Sequence, residues 1–215
     1  FIYSLSPFFA AFFSYLHFGE KMNPKKWLGM AIGFLGFFPV LAYQTGSENL
    51  LQNFGIFSLA ELAIIGAALF SVYGWVLLRV FLKEDENASP LTINGFSMLI
   101  GGALSLIHSF FTENWNPVPV DGNHVDTFLQ STLLMTLISN ILCYNLHGFL
   151  LKKYSATFLS FMGLLSPVFA SVISWLLLNE PISPIIFGST AVISIGLWLV
   201  YREELNQGYI LQKSS

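Results

Sequence analysis

Charge is the scarcest ingredient of this chain. Only 10% of its 215 residues are Asp, Glu, Lys or Arg, against about a quarter in soluble domains, so a water-soluble surface cannot be covered. A basic surplus is missing too. Nine Lys and Arg stand against 12 Asp and Glu, for a net charge of −3, which supplies no field for nucleic acid. A single cysteine, Cys143, excludes an internal disulfide and any multi-thiolate metal site. The sequence has no GxxxxGK[ST] loop for a nucleotide phosphate. It has no HExxH motif and no Cys/His cluster for zinc. No cofactor and no metal are therefore expected. The chain opens on Phe1 and is apolar from there, without the charged leader segment of a signal peptide. It reads as a fragment of a longer chain.

Apolar residues make up 54% and aromatic residues 16%, with 22 Phe among them. They gather in seven segments: 1–18, 27–43, 62–82, 93–112, 128–150, 157–178 and 184–201. Each meets or approaches the roughly 20 residues that a helix needs to cross a bilayer core. The breaks between them are short and rich in Pro, Asn, Asp and Gly, which stop helices and make turns. Strands of a barrel would alternate in polarity, and these runs do not. An unpaired amide in lipid costs several kcal/mol, so helices must satisfy their own backbones. The expected fold class is an all-α integral membrane protein, a polytopic helix bundle in the lipid bilayer.

Orientation follows from the cations. If the connections alternate sides, Lys21, Lys25, Lys26, Arg79, Lys83, Lys152, Lys153, Arg202 and Lys213 all fall on one side. The positive-inside rule makes that side cytoplasmic, and the C-terminus with it. A bacterial inner membrane is the expected location. The sequon at Asn87 then lies inside, where it would not be glycosylated.

An internal repeat sets the architecture. Residues 1–40 align without gaps on 161–200, with 13 identities in 40 positions. Ser6/Ser166, Pro7/Pro167, Glu20/Glu180, Pro24/Pro184 and Gly36/Gly196 are among them. The first segment matches the sixth, five helices later, which reverses its direction in the membrane. The unit is therefore a five-helix repeat of inverted topology. Seven helices are present of an expected ten. Residues 1–44 are the last two helices of the first repeat, 45–61 an external linker, 62–201 the second repeat and 202–215 a cytoplasmic tail. Inverted repeats recur in secondary transporters, which bind substrate near the midplane between the repeats.

The S-P…G-E/N-E-P…P…G pattern, repeated across two halves, resembles the EamA-type drug/metabolite transporter superfamily. ELAIIGAALFSVYGWVLLRVFLKE is similar to the opening helix of its second repeat, and ILCYNLHGFLLKKYSATFLSFMGLLSPVFASVISWLLLNEPI to its fourth and fifth segments. The resemblance covers nearly the whole chain. It implies a ten-helix carrier whose first three helices lie outside this sequence, and it does not specify the substrate. Lys21 departs from the repeat, where its counterpart is Pro181. The Cys143–His147 stretch is more polar than is usual in the family.

Candidate pathway residues come from helical faces. Thr132, Thr136, Asn140, Cys143, Tyr144 and His147 fall within about 120° of one another at 100° per residue. Such a stripe lines a water-filled path or glues helices together. On the first reading Asn140 and Tyr144 hydrogen-bond the substrate. His147, near the cytoplasmic end, relays a proton or snorkels to the interface. Trp75, beside Ala67, Ser71 and Gly74, is a cavity wall or an interfacial anchor. Pro7 and Pro167 sit mid-segment, where a proline removes a backbone hydrogen bond and kinks a helix. They are candidate hinges, and Ser6 and Ser166 are the polar side chains next to them. Gly29, Gly33 and Gly36 form a close-packing face, which could pair two copies into a homodimer. Glu20 and Glu180 read as turn residues within reach of water, and Glu61 as an acid at a helix start. No Lys or Arg is placed deep in a helix, so a multi-anionic substrate would lack a partner here.

The expected function is a secondary transporter. It moves a small neutral, zwitterionic or amphipathic metabolite or drug by alternating access. A membrane enzyme would need His108, His147 or Glu61 to converge, and they fall at different depths. A seven-helix receptor would leave the inverted repeat without a role.

Overall fold

The structure is a computed structural model that describes residues 2–45, 59–85, 87–113, 120 and 124–210, without the side chains of 41–45, 60 and 61. Phe1, the Glu61 side chain, most of the 45–61 linker and Lys213 lie outside the described residues. A 3₁₀ turn at Ile2–Leu5 leads into α1 (Ser6–Phe18), followed by α2 (Pro24–Thr45), α3 (Leu59–Glu84) and α4 (Pro90–Thr112). A long rod follows, built from α5 (Val125–Met135), a π-helical stretch (Thr136–Cys143) and α6 (Tyr144–Leu151). Then come α7 (Ala156–Met162), a 3₁₀ turn (Gly163–Leu165), α8 (Ser166–Leu178) and α9 (Pro184–Asn206). All described elements are helical. Among the described residues, five rods are long and apolar enough to cross a membrane: Leu62–Glu84, Pro90–Thr112, Val125–Leu151, Ala156–Leu178 and Pro184–Asn206.

Helix boundaries follow local chemistry. Pro90 and Pro184 open α4 and α9 behind Ser89 and Ser183 in extended backbone, since proline fits a first turn that has no use for its missing N–H. Ser155 caps α7 by accepting the Phe158 N–H at 2.9 Å.

The two copies of the repeat share backbone geometry at both ends. Leu5 precedes α1 at φ −81°, ψ −6°, and Leu165 precedes α8 at φ −81°, ψ −9°. Each helix ends on a left-handed residue, Gly19 at φ 63° and Asn179 at φ 55°. Glycine and asparagine are the residues that adopt this cap at low cost. Pro7 and Pro167 do not interrupt an α-helix, as their mid-segment placement suggested. Each is the second residue of an α-helix, where the rod changes from 3₁₀ to α. The change comes where a proline in continuous α-helix would meet the carbonyl four residues back.

The chain divides into two compact units, residues 1–77 with 153–215, and residues 78–152. In the first, α2 and α9 pack antiparallel. A Cβ on Gly29 would lie 2.9 Å from Val200 Cγ2, and one on Gly36 would lie 2.8 Å from Val192 Cγ1. A Cβ on Gly196 would come within 2.6 Å of both the Gly29 carbonyl oxygen and the Gly33 nitrogen. Gly33 seats the Phe161 ring. α2 and α9 carry the matching positions of the sequence repeat, and they run antiparallel here. The glycine face is thus covered from within the chain. Met30, Phe158, Phe161, Leu164, Ile193 and Val200 form the surrounding core.

Equivalent faces of α1 and α8 differ in burial. Pro7, Ala10, Ala11 and Ser14 are buried on α1, which packs on α7. Their counterparts Pro167, Ala170, Ser171 and Ser174 are half-buried or exposed, and α8 has no buried residue.

In the second unit α4 packs on α6. Gly148 lets Pro90 approach, its Cβ position being 2.7 Å from Pro90 Cβ. Lys152 Nζ donates to the Ala88 carbonyl at 2.8 Å.

Candidate functional site

The polar rod carries Thr136, Asn140, Tyr144 and His147 in the second unit. The π-helical stretch from Thr136 to Cys143 is confirmed by the Tyr144 N–H, which bonds the Ser139 carbonyl five residues back. Such stretches are rare, and they concentrate at functional sites. Its wider turn breaks the 100° count on which the stripe was drawn. Thr136, Cys143 and Tyr144 are exposed, whereas Asn140 and His147 are half-buried. Asn145, which the stripe left out, is the buried polar residue. Its Nδ2 donates to the Ile141 carbonyl at 2.6 Å, and its Oδ1 accepts from Asn94 Nδ2 at 3.4 Å. Asn94 Nδ2 also donates to the Tyr144 carbonyl at 3.2 Å. Interhelical glue is therefore supplied by Asn94 and Asn145.

In the first unit Trp75 is half-buried on α3. Ser6 Oγ donates to the Tyr3 carbonyl at 2.5 Å, which ties the 3₁₀ turn to the start of α1. Ser166 is exposed at the matching place on α8.

The same unit holds an aromatic group that the sequence did not single out. The rings of Phe13 and Tyr73 lie 4.9 Å apart, and His17 and Tyr73 lie 5.5 Å apart. His17 Nδ1 is 3.1 Å from the Phe13 carbonyl oxygen. A carbonyl can only accept, so Nδ1 carries the hydrogen and Nε2 is the acceptor in the neutral ring. Phe13 and His17 lie one turn apart on α1, and this i, i+4 spacing is the signal that could have found them.

Two cations are buried, and one expectation about charge is corrected. Lys26 and Arg79 are each 1% exposed, although neither lies near the middle of its helix. Lys26 Nζ pairs with Glu204 Oε1 at 2.6 Å, and Glu204 Oε2 accepts from Ser155 Oγ at 2.5 Å. The ammonium also lies 5.4 Å from the Tyr209 ring centroid, and Asn23 bonds both Glu203 and the Lys26 N–H. This polar knot ties the start of α2 to the end of α9 and the cap of α7. It could not be read from sequence because 178 positions separate the two charges. Glu20, expected within reach of water, is 3% exposed. Its counterpart Glu180 is exposed and accepts from Ser174 Oγ at 2.8 Å. Among the described residues no three His, Cys, Asp or Glu side chains converge as metal ligands would.

Comparison with known proteins gives a consistent family. The chain is 43% identical over 211 residues to an S-adenosylmethionine/S-adenosylhomocysteine transporter of Chlamydia trachomatis, covering 98% of this chain and 64% of that protein. A transporter of the same description from Chlamydia muridarum is 41% identical, with 98% and 65% covered. A WAT1-related chloroplastic protein of Arabidopsis thaliana is 27% identical, with 88% and 44% covered. The chain thus spans about two thirds of the length of its chlamydial relatives. No solved structure matches it. The EamA-like transporter family model matches residues 1–42 and 58–202, the two stretches in which the inverted repeat was read, and the chain belongs to that family.

Proposed function

We propose that the chain is part of a secondary carrier that exchanges S-adenosylmethionine for S-adenosylhomocysteine across a membrane by alternating access. The observation that carries this reading is 43% identity along 98% of the chain to a transporter of those two compounds. Their chemistry suits the sequence. Both are amphipathic, with an apolar purine face and a zwitterionic amino-acid end, and neither has a phosphate that would call for a cluster of cations. The methionine form adds one positive charge at a sulfonium.

In this reading residues 1–44 close the first repeat, 45–61 link the repeats outside, 62–201 form the second repeat and 202–215 are a cytoplasmic tail. Three more helices complete a ten-helix protein of the bacterial inner membrane. Thr136, Asn140, Tyr144, His147, Trp75, Ser6 and Ser166 line the path. The 3₁₀-to-α changes at Pro7 and Pro167 are the hinges. The π-helical stretch supports the assignment of Asn140 within it and Tyr144 at its end, because such stretches concentrate at functional sites. The glycine face being covered within the chain, a homodimer would use another surface. The carrier performs no covalent chemistry on its substrate.

Uptake of labelled S-adenosylmethionine by cells that express the complete protein tests this reading. Uptake that unlabelled S-adenosylhomocysteine suppresses supports it. Uptake no greater than in cells with an empty vector refutes it.

A further inference from the structure

The contact between α2 and α9 is reciprocal. A Cβ on Gly196 would lie 2.6 Å from the Gly33 nitrogen, and a Cβ on Gly36 would lie 3.0 Å from the Ile193 nitrogen. Gly36 and Gly196 are counterparts in the sequence repeat, and so are positions 33 and 193. The same contact is therefore made twice, with the two helices exchanged. Val40 and Val200, another pair of counterparts, are both buried in it. Reciprocal pairing is the mark of a two-fold axis, as in an isologous interface, and here it relates two stretches of one chain.

That axis carries α1 onto α8. It carries α7, seven residues long, onto a stretch whose last residue is Ile2, the counterpart of Met162. α1 packs on α7 and buries Pro7, Ala10, Ala11 and Ser14 there. The two-fold operation turns this contact into one between α8 and the stretch that runs into Ile2. Among the described residues nothing buries α8. Its matching face nevertheless needs no water. Ser171 Oγ donates to the Pro167 carbonyl at 2.8 Å, and Ser174 Oγ to Glu180 Oε2 at 2.8 Å. An apolar helix can cover these hydroxyls without stranding a donor.

We propose that the face of α8 bearing Pro167, Ala170, Ser171 and Ser174 is the docking surface for the chain segment immediately upstream of Phe1. The proposal rests on the ten-helix part of the carrier reading above. The occupant is a helical stretch of apolar and small residues, as α7 is. There is chain to supply it, because about a third of the chlamydial relative's length lies outside the part matched here. The two repeats then clasp each other through two equivalent crossings, α1 on α7 and the upstream segment on α8.

Disulfide cross-linking in the complete protein tests this. Cys143, which is exposed, is changed to serine along with any other native cysteine, and a protease site is placed in the 45–61 linker. Ser171→Cys is combined in turn with a cysteine at each of the five positions before Phe1, which with Phe1 and Ile2 make up the counterpart of α7. After mild oxidation in the membrane and cleavage of the linker, a disulfide keeps the two halves together on a non-reducing gel. At least one Ser171→Cys pair should cross-link several-fold more than the same pair built on Phe169→Cys, which lies about 200° round the helix at 100° per residue and is exposed. Ala11→Cys with Phe158→Cys, on the α1–α7 contact, should cross-link as well. If Ser171→Cys does not accumulate, Ser174→Cys takes its place. Cross-links that form only between two copies would show a second copy on α8 and overturn the proposal. So would no cross-link from α8 while the Ala11–Phe158 pair forms, which leaves lipid or another segment on that face. Absence of the Ala11–Phe158 cross-link overturns the contact from which the proposal starts. In each of these cases the carrier reading stands on its uptake assay. A complete protein with no helix upstream of Phe1 overturns the ten-helix reading and the proposal together.

Discussion

Replacing Gly196 by alanine should do far more harm than a methyl group ordinarily does. The new Cβ would lie 2.6 Å from the Gly29 carbonyl oxygen and from the Gly33 nitrogen. Both are backbone atoms, so no side chain can swing aside. To reach ordinary contact at 3.4 Å, α2 and α9 must separate by about 0.8 Å. A gap of that size forfeits a quarter to a half of the dispersion attraction at each contact it opens. The affected contacts include the seat of Phe161 at Gly33 and of Val200 at Gly29. Overpacking of this kind costs about 1–3 kcal/mol. Gly188 on the same helix makes the control, because its Cβ would meet nothing within 4 Å. Alanine there should be neutral, or stabilising by up to about 1 kcal/mol from helix propensity. Thermal unfolding of the purified complete protein in detergent compares the two. Gly196→Ala should melt clearly below wild type and Gly188→Ala at or above it. Equal melting temperatures would refute the antiparallel glycine packing.

Other outcomes follow from the same contacts. Lys26→Met should cost about 3–5 kcal/mol by leaving Glu204 buried without its ion-pair partner; adding Glu204→Leu should recover much of that loss, as thermal melts of the single and double variants would show. Asn145→Ala should cost about 1–3 kcal/mol, since it removes the bonds to the Ile141 carbonyl and to Asn94 from a buried position; denaturant-dependent unfolding followed by tryptophan fluorescence would read it. Ala10→Leu should destabilise by about 1–3 kcal/mol through overpacking against α7. Its level of folded protein on size-exclusion chromatography should fall, while Gly66→Ala, on open space, should leave it unchanged.

The helix rods were readable in the sequence because apolar length and the turn residues between segments decide them locally. The repeat was readable because Pro7, Glu20, Pro24 and Gly36 recur at one offset, and the structure gives both copies the same cap geometry. Other features depend on which residues meet across long separations. Lys26 stands in a Lys-rich turn and looks like a solvated cation, until Glu204 and Ser155 come to it from the far end of the chain. The π-helical stretch carries no compositional mark, so a stripe drawn at α-helical spacing included exposed Cys143 and omitted buried Asn145. Phe13 and His17 could be paired by their spacing, but their partner Tyr73 lies on another helix. The prolines were recognised as breaks, and the 3₁₀ turns before them moved the break from mid-helix to the start of α1 and α8.

Counterflow in proteoliposomes tests the central claim most directly. Vesicles containing the complete protein are loaded with unlabelled S-adenosylhomocysteine and placed in labelled S-adenosylmethionine. An alternating-access exchanger should accumulate label transiently, several-fold above vesicles loaded with buffer. Label that enters loaded and empty vesicles equally, or no faster than protein-free vesicles, would contradict the account.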